Sequence, residues 1–396
     1  MDIFVWFEFI ITIALLMLIA RKSLWVALAF SALVLGLVSI PFSELSVIVS
    51  DTLFDPSIVL LAISVGLIAV IGGALEMTGL IDDLMSNTSL KRRPALLLIP
   101  AMLGMLPIPG GALLSAPVVQ RGGGNADADV KASINVWSRH IAVLFYPLGS
   151  LLATTKMAGL DLYEILLYMV PGLVLSIVLT WIFLLRKVEN GRISEGKRIR
   201  RKAVIPVLLI LSAPAVHASM MYLFPSVMEE VFLLLGVSLS LALILIVKRK
   251  GPLYLMPVTR RMKAWNFALI ILAMFIFLGI FNGSDAPDAI SALPLSRPLL
   301  VVFAGGLLGV ATGRVNVPVS IMLPILSTGA LPDMNNVTFT ILFFSIFIGF
   351  LISPVHPCVS VSLEYFKTDY VSVLKRTILP AAIAWAASLV AAFILI

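Results

Sequence analysis

The chain has 396 residues, of which 60% are hydrophobic and 12% charged, with a mean hydropathy of +1.10. A soluble domain carries about 25% charged residues, so a soluble enzyme, a nucleic-acid binder and a disordered chain are excluded, and the composition is that of an all-α polytopic membrane protein. The formal net charge of +7 comes from basic residues in short loops between apolar runs, the pattern of topology signals, and the single cysteine, Cys358, excludes a disulfide framework or a Cys-rich metal site.

Met1 and Asp2 lead straight into an apolar run that is followed by Arg21 and Lys22. That order suits a retained first helix with its N-terminus outside rather than a cleaved signal peptide. Crossing the hydrocarbon core takes about 20 apolar residues, and runs near 3–20, 23–40 and 58–80 predict the first three spans. Glu76, in GGALEMTGL, is a carboxylate near the inner end of the third and a weak candidate for a proton site.

The run 95–119 is apolar but broken in the middle: PAMLGMLPIPGGALLSAPVV. Pro107 and Pro109 stop a first half-helix, Gly110 and Gly111 permit a tight turn, and Ser115 lies one turn along the returning half. We read it as a re-entrant hairpin; the competing reading is a kinked spanning helix whose Pro and Gly serve packing. Non-helical backbone at membrane depth survives only where protein or a water-filled cavity surrounds it, so the tip points to a site.

The next span, 133–156, reads SINVWSRHIAVLFYPLGSLLATTK. Pro147 and Gly149 break it, leaving Tyr146, Ser150, Thr154 and Thr155 beside the gap. Arg139 and His140 are read as lying toward its cytoplasmic end, where arginine snorkels. A fifth span, 162–185, ends the first half (1–187). A basic linker, 188–203, leads to the second half (204–396), with spans at 204–224, 231–247 and 266–282.

A second broken run, 298–327, contains FAGGLLGVATGRVNVPVSIMLP. Its tip, Thr312 to Pro318, carries Gly313, Arg314 and Asn316, with Ser320 just beyond. A charge at bilayer depth costs several kcal/mol unless paired or solvated, and marks function by default. Arginine also offers a planar fork for a carboxylate or similar oxyanion. The structural alternative for Arg314 is a pair with Glu364 or Glu76, or snorkelling to the outer surface. The following span, 337–362, holds FIGFLISPVHPCVSVSLEYFK, in which Pro354 and Pro357 bracket His356, with Ser353, Ser360 and Ser362 nearby. Two prolines strip backbone donors and leave carbonyls for a small cation or polar substrate. His356 is a proton-carrying candidate, or a neutral imidazole bonded to a freed carbonyl. Cys358 reads as a small packing residue. Membrane Ser and Thr often bond back to their own helix, so they carry weight only as a cluster at matched breaks. A last span, 377–396, completes ten.

The charges test this threading. Letting each broken run return to its own side, 25 of the 28 basic residues fall in inside loops or at an inner helix end; only Lys156, Arg297 and Arg314 do not. The outside loops collect Glu44, Asp51, Asp55, Asp161, Glu229, Glu230, Asp285, Asp288 and Asp333. This is a strong positive-inside asymmetry. Each half is five spans with a hairpin after the third, and the second half starts on the opposite side from the first. Sparse matches at an offset of 207, such as Pro117 with Pro324, Pro147 with Pro354 and Tyr163 with Tyr370, agree with an inverted repeat. Inverted repeats with paired broken helices are the signature of secondary transporters, whose solute and ion bind where the breaks meet.

PIPGG, YPLGS, TGRVNVP and SPVHPC in this order resemble the ion transporter superfamily of citrate, gluconate, dicarboxylate and arsenite carriers. The chain is most similar to a prokaryotic membrane family, domain-of-unknown-function family 401. The resemblance covers the whole chain. It implies scaffold and transport domains, an elevator-type mechanism, a homodimer in the cell membrane, and Na⁺ or H⁺ coupling. The Ser-Asn-Thr tip motif of the Na⁺-coupled dicarboxylate branch is absent from both hairpins.

The function expected is a non-enzymatic secondary carrier of a small anionic solute, with both termini outside and no cofactor beyond a coupling ion such as Na⁺. The solute-binding candidates are Pro109, Gly110, Gly111, Ser115, Tyr146, Gly149, Thr312, Gly313, Arg314, Asn316 and His356. The coupling-ion candidates are Ser150, Thr154, Ser320, Ser353, Pro354, Ser360 and Ser362. A cation antiporter would need membrane-embedded carboxylates, an enzyme a catalytic set, and a channel or scaffold leaves the matched breaks unexplained.

Overall fold

The computed structural model describes residues 3–20, 22–87, 90–105, 112–191, 200–286, 289, 296–327 and 334–396. The described residues form helices and no sheet. Seven of the helices are long and apolar enough to cross a membrane, which makes the chain a multi-pass membrane protein by length and composition.

The first three runs become α1 (Ile3–Ala20), α2 (Leu24–Ser39) and α4 (Pro56–Met77). Asp55 caps α4 by accepting from the Ser57 and Ile58 N–H groups, with Pro56 in the first turn where its missing donor costs nothing. Between α2 and α4 lies a helix not anticipated from sequence, α3 (Phe42–Phe54), which buries only Leu45 and Thr52. A short α5 (Leu80–Asn87) precedes α6 (Arg92–Gly104) and α7 (Ala112–Gly123), the two arms of the first broken run. Next come α8 (Ala128–His140), α9 (Ser150–Met157), α10 (Leu162–Tyr168) and α11 (Val170–Phe183).

The second half supplies α12 (Arg200–Leu223), α13 (Glu229–Val247), α14 (Leu255–Met262) and α15 (Ala264–Asn282). The second broken run gives α16 (Arg297–Thr312), with a π-helical turn at Leu300–Ala304, and α17 (Asn316–Ser327). The chain closes with α18 (Asn336–Ile352), α19 (Pro357–Phe366) and α20 (Tyr370–Leu395).

The spans are not uniform in length. The fourth is divided into pieces of 13 and 8 residues, α2 has only 16, and the apolar stretch described in α1 is Phe4–Leu16. Two boundaries differ from the sequence reading for the same reason, that polar residues extend the helices. The broken span starts at Ala128 rather than 133, because Lys131 is buried in α8 and Asp129 is held by Arg376 at 2.7 Å. The last helix starts at Tyr370 rather than 377, because Asp369 caps it. There the Ser372 hydroxyl and N–H donate at 2.6 and 3.0 Å and hold the Asp369 carboxyl below its ordinary range.

Each broken run has arms too short to cross. At 1.5 Å per residue α6 and α7 are roughly 20 Å long, against a core of about 30 Å. The start of α6 and the end of α7 lie together, with the Arg92 guanidinium against Gly124. In the second run, Gly305 faces Leu342, Gly309 faces Ile346 and Phe350, and Gly313 faces Val355 and His356. The numbers rise in step, so α16 runs parallel to α18. The chain that joins them, which includes α17, therefore returns to the starting end.

Helices α1, α2, α4, α12, α13 and α15 pack on one another; α6, α7 and α16 pack with α8, α18, α19 and α20, while α17 packs on α9, α15 and α16. Each group draws on both halves of the sequence, so 1–187 and 204–396 are not separate bodies in space. Ion pairs join loops at two ends of the bundle. At the basic end Asp83 meets Lys202 and Lys248, Glu76 meets Arg261, Arg92 meets Glu189, and Arg376 meets Asp127 and Asp129. At the other end Lys156 bridges Glu229 and Glu230, and Asn336 bonds Glu164. Each of these pairs joins residues that the charge pattern puts on one side.

Lys156 links α9, which packs against the α17 arm, to α13. Glu230 is 3% exposed, with Ser57 as its further donor at 2.7 Å. Breaking a buried pair from one side leaves a charge uncompensated. Because Lys156 is itself partly exposed, we expect Lys156→Met to cost roughly 2 kcal/mol. Melting in detergent checks this, and Glu230→Gln in the same chain restores most of the loss if the pair is the cause.

Candidate functional site

A cavity of about 360 Å³ lies between the two packing groups. Val65 of α4 and Phe267, Ile270 and Ile271 of α15 form one wall. The other carries Arg139, His140, Arg314, Asn316, His356 and Cys358. A neighbouring hollow of about 190 Å³ shares Gly104, Ser150 and Asn316 and adds Tyr146 and Gly149.

The breaks in the helices put these residues there. Gly313 ends α16 in the left-handed conformation (φ 59°), and a Cβ on it would strike the Val355 and His356 backbone; both facts require glycine. The Thr312 hydroxyl donates to Leu308 O at 2.8 Å, and its oxygen accepts the Arg314 N–H at 3.4 Å, which closes the turn. Arg314, Val315 and Asn316 then face the cavity at the start of α17. The Asn316 Oδ1 is buried with no hydrogen-bond partner among the described residues. In the first broken run, Gly104 packs against the Arg139 carbonyl. Ala112, the first residue of α7, bonds Cys358 and accepts from the Asn135 amide at 3.1 Å. The first broken run thus meets both interrupted spans, and the second meets the one at Val355 and His356.

The sequence candidates divide. Gly313, Arg314, Asn316, His356 and Ser150 line the main cavity, and Tyr146 and Gly149 line the hollow beside it. Tyr146 also donates to Ile210 O of α12 at 3.4 Å. Pro109, Gly110 and Gly111 lie outside the described residues. Ser115 is buried with its hydroxyl on Ala112 O. The coupling-ion candidates do not converge. Thr154 donates to Ser150 O at 2.8 Å and Ser320 to Val317 O at 2.8 Å, as membrane hydroxyls do. Ser353 donates to Val310 O, Ser362 accepts from Asn135, and Pro354 and Ser360 are exposed. Of that set only Ser150 faces the cavity. Glu76 is held by Arg261 at 2.6 Å, and Glu364 is exposed.

Three residues on the wall were discounted from sequence. Arg139, read as snorkelling, is 3% exposed and stands about 16 Å along α8 at 1.5 Å per residue. The earlier start of α8 accounts for the difference in depth. No carboxylate pairs with Arg139 among the described residues; its contact is the Cys358 sulfur, and Nη1 has no hydrogen-bond partner. His140, 7% exposed, lies edge-on to His356 with ring centres 4.6 Å apart. Cys358 completes the group. A charged residue inside an apolar run was the signal available, and it had been spent on topology.

Asn135 was not singled out either. It is fully buried and donates to both Ala112 O and the Ser362 hydroxyl at 2.9 Å, tying α7, α8 and α19 together. Asn135→Leu removes both of these buried hydrogen bonds, and we expect a loss of about 1–3 kcal/mol. A melting point unchanged from the parent would mean these bonds do not hold the broken run in place.

The chain belongs to the family described as "Protein of unknown function (DUF401)", which matches residues 5–396. No curated protein matches it.

Proposed function

We propose that the protein is a secondary active transporter of a small anionic solute, an organic acid or oxyanion, driven by a H⁺ or Na⁺ gradient. The observation that carries this reading is a cavity between two helix groups that holds Arg139 and Arg314 and has no Asp or Glu among its described lining residues. Without a carboxylate among its described lining residues, such a wall offers Na⁺ no charged ligand, which disfavours a cation antiporter. A carboxylate gains charge-assisted hydrogen bonds from the guanidinium forks. The helices that start at the cavity, α17 at Asn316 and α19 at Pro357, add the positive ends of their dipoles. The volume is that of a small-molecule pocket.

In this reading the two broken runs are re-entrant hairpins in two inverted repeats. The group containing α1, α2, α4, α12, α13 and α15 is the scaffold, and the other group is the moving transport domain. The basic end is cytoplasmic, so both termini lie outside, and the assembly is a homodimer in the cell membrane. His356, with His140 beside it, is the proton-carrying candidate.

Thermal-shift screening against organic acids and oxyanions, each with and without Na⁺, finds the solute: at a hundred times Kd a ligand adds about 2.7 kcal/mol. Uptake into proteoliposomes is then expected to follow an imposed H⁺ or Na⁺ gradient. Uptake indifferent to both gradients removes the coupling, and Arg314→Ala with unchanged uptake removes the anion role of that residue.

A further inference from the structure

We propose that His140, His356 and Cys358 form a three-ligand site for a zinc-class transition-metal cation on the cavity wall. A ring nitrogen of each histidine and the Cys358 sulfur lie within 4.8 Å of one another. Zinc–nitrogen and zinc–sulfur bonds of about 2.0–2.3 Å would place such atoms roughly 3.3–3.6 Å apart in a tetrahedral shell, so small side-chain rotations close it.

The supporting contacts are those of a ligand set. The His140 Nδ1 lies 2.6 Å from Val136 O, and the His356 Nδ1 lies 3.1 Å from Phe350 O. A carbonyl only accepts, so each Nδ1 carries the proton, and Nε2 keeps the lone pair that binds a metal. Metal-bound histidines are oriented in this way by a backbone carbonyl on the other nitrogen. The sulfur has two donors of its own, the Arg139 guanidinium and the Ala112 N–H, which stabilise a ligating thiolate. Imidazole and thiolate together select the zinc end of the divalent series over Mg²⁺ or Ca²⁺. Aromatic packing accounts for Phe350, stacked on His356 at 4.0 Å. It does not account for two imidazoles and a thiol gathered beside an open space.

Three protein ligands leave a fourth position for water or an anion, and all three residues line the cavity. His140 ends α8 and His356 and Cys358 begin α19, so the metal would tie the two interrupted spans together. Coordination replaces the thiol proton: the Cys358 S–H bond breaks, a sulfur–metal bond forms and H⁺ leaves to solvent. Affinity therefore falls as pH falls.

The site goes beyond the transport reading and is tested without it. Full-length protein, purified in detergent and stripped with chelator, is titrated with Zn²⁺, and with Co²⁺ as a spectroscopic stand-in. One metal per chain is expected, with proton release and a thiolate-to-cobalt charge-transfer band. Cys358→Ser removes the band and weakens Zn²⁺ binding at least tenfold, and His356→Gln weakens it similarly, while the metal-free variants elute and melt like the parent. A variant that fails to fold is replaced by Cys358→Ala. No bound metal, no thiolate band, or Zn²⁺ binding unchanged in all variants overturns the proposal.

Discussion

Methionine in place of Arg139 is expected to cut solute binding and uptake at least a hundredfold while leaving the protein as stable as the parent, or more so. Arg139 is 3% exposed, and its charge has no carboxylate partner among the described residues. Such a group is costly, and replacing a buried ion with an apolar side chain of similar size is often neutral or stabilising. A site that keeps the charge at that cost is trading stability for function. Two charge-assisted hydrogen bonds of about 1.5–3 kcal/mol each are lost with the guanidinium, which is two or more powers of ten in affinity. Arg139→Lys keeps the charge but not the fork and should retain part of the binding. Binding is read by thermal shift with the identified solute, uptake in proteoliposomes. If Arg139→Met melts well below the parent, the arginine is a structural strut. If it melts normally and still transports, the anion site lies elsewhere.

Valine at Gly309 is expected to destabilise the fold by about 3 kcal/mol. Gly305, Gly309 and Gly313 recur every four residues and form one face of α16. Through them α16 lies directly on the backbone of α18: a Cβ at Gly309 meets the Ile346 carbonyl, and one at Gly349 meets the Gly306 carbonyl. Small residues allow this approach, which lets membrane helices associate without a hydrophobic driving force. The obstruction is backbone on both sides and cannot swing away, so the overpacking cost sits at the upper end of its usual 1–3 kcal/mol range. Because the same contact sets the turn at Gly313, Gly309→Val should also weaken solute binding, whereas Leu307→Val, on the exposed face of α16, should change neither. Equal melting of the Gly309 and Leu307 variants would show that α16 is not packed as described.

Much of the organisation was legible in the chain. The apolar runs, the two breaks at 95–119 and 298–327 and the interruptions at Pro147 and Pro354 come from residue types whose backbone preferences act locally: proline removes a donor and glycine permits the turn. The charge asymmetry grouped loops that ion pairs such as Lys248 with Asp83 do join. Arg314, Asn316, Gly313 and His356 stood out because polar or proline-bracketed residues in an apolar run have few inexpensive placements.

What the sequence could not decide was depth and convergence. Arg139 looked like a residue near a helix end; the start of α8 at Ala128, fixed by contacts of Asp129 with a residue 247 positions away, carries Arg139 to the cavity instead. The serines and threonines looked like a cation shell, but Thr154 and Ser320 turn back to carbonyls of their own helices and Ser353 and Ser362 bond to other helices, choices that spacing does not reveal. His140, His356 and Cys358 come from two distant segments and are brought within 4.8 Å only because α8 and α19 pack side by side. Local chemistry specified where the helices break. The meeting of the broken ends depends on long-range packing, whose energy no short stretch of the chain contains.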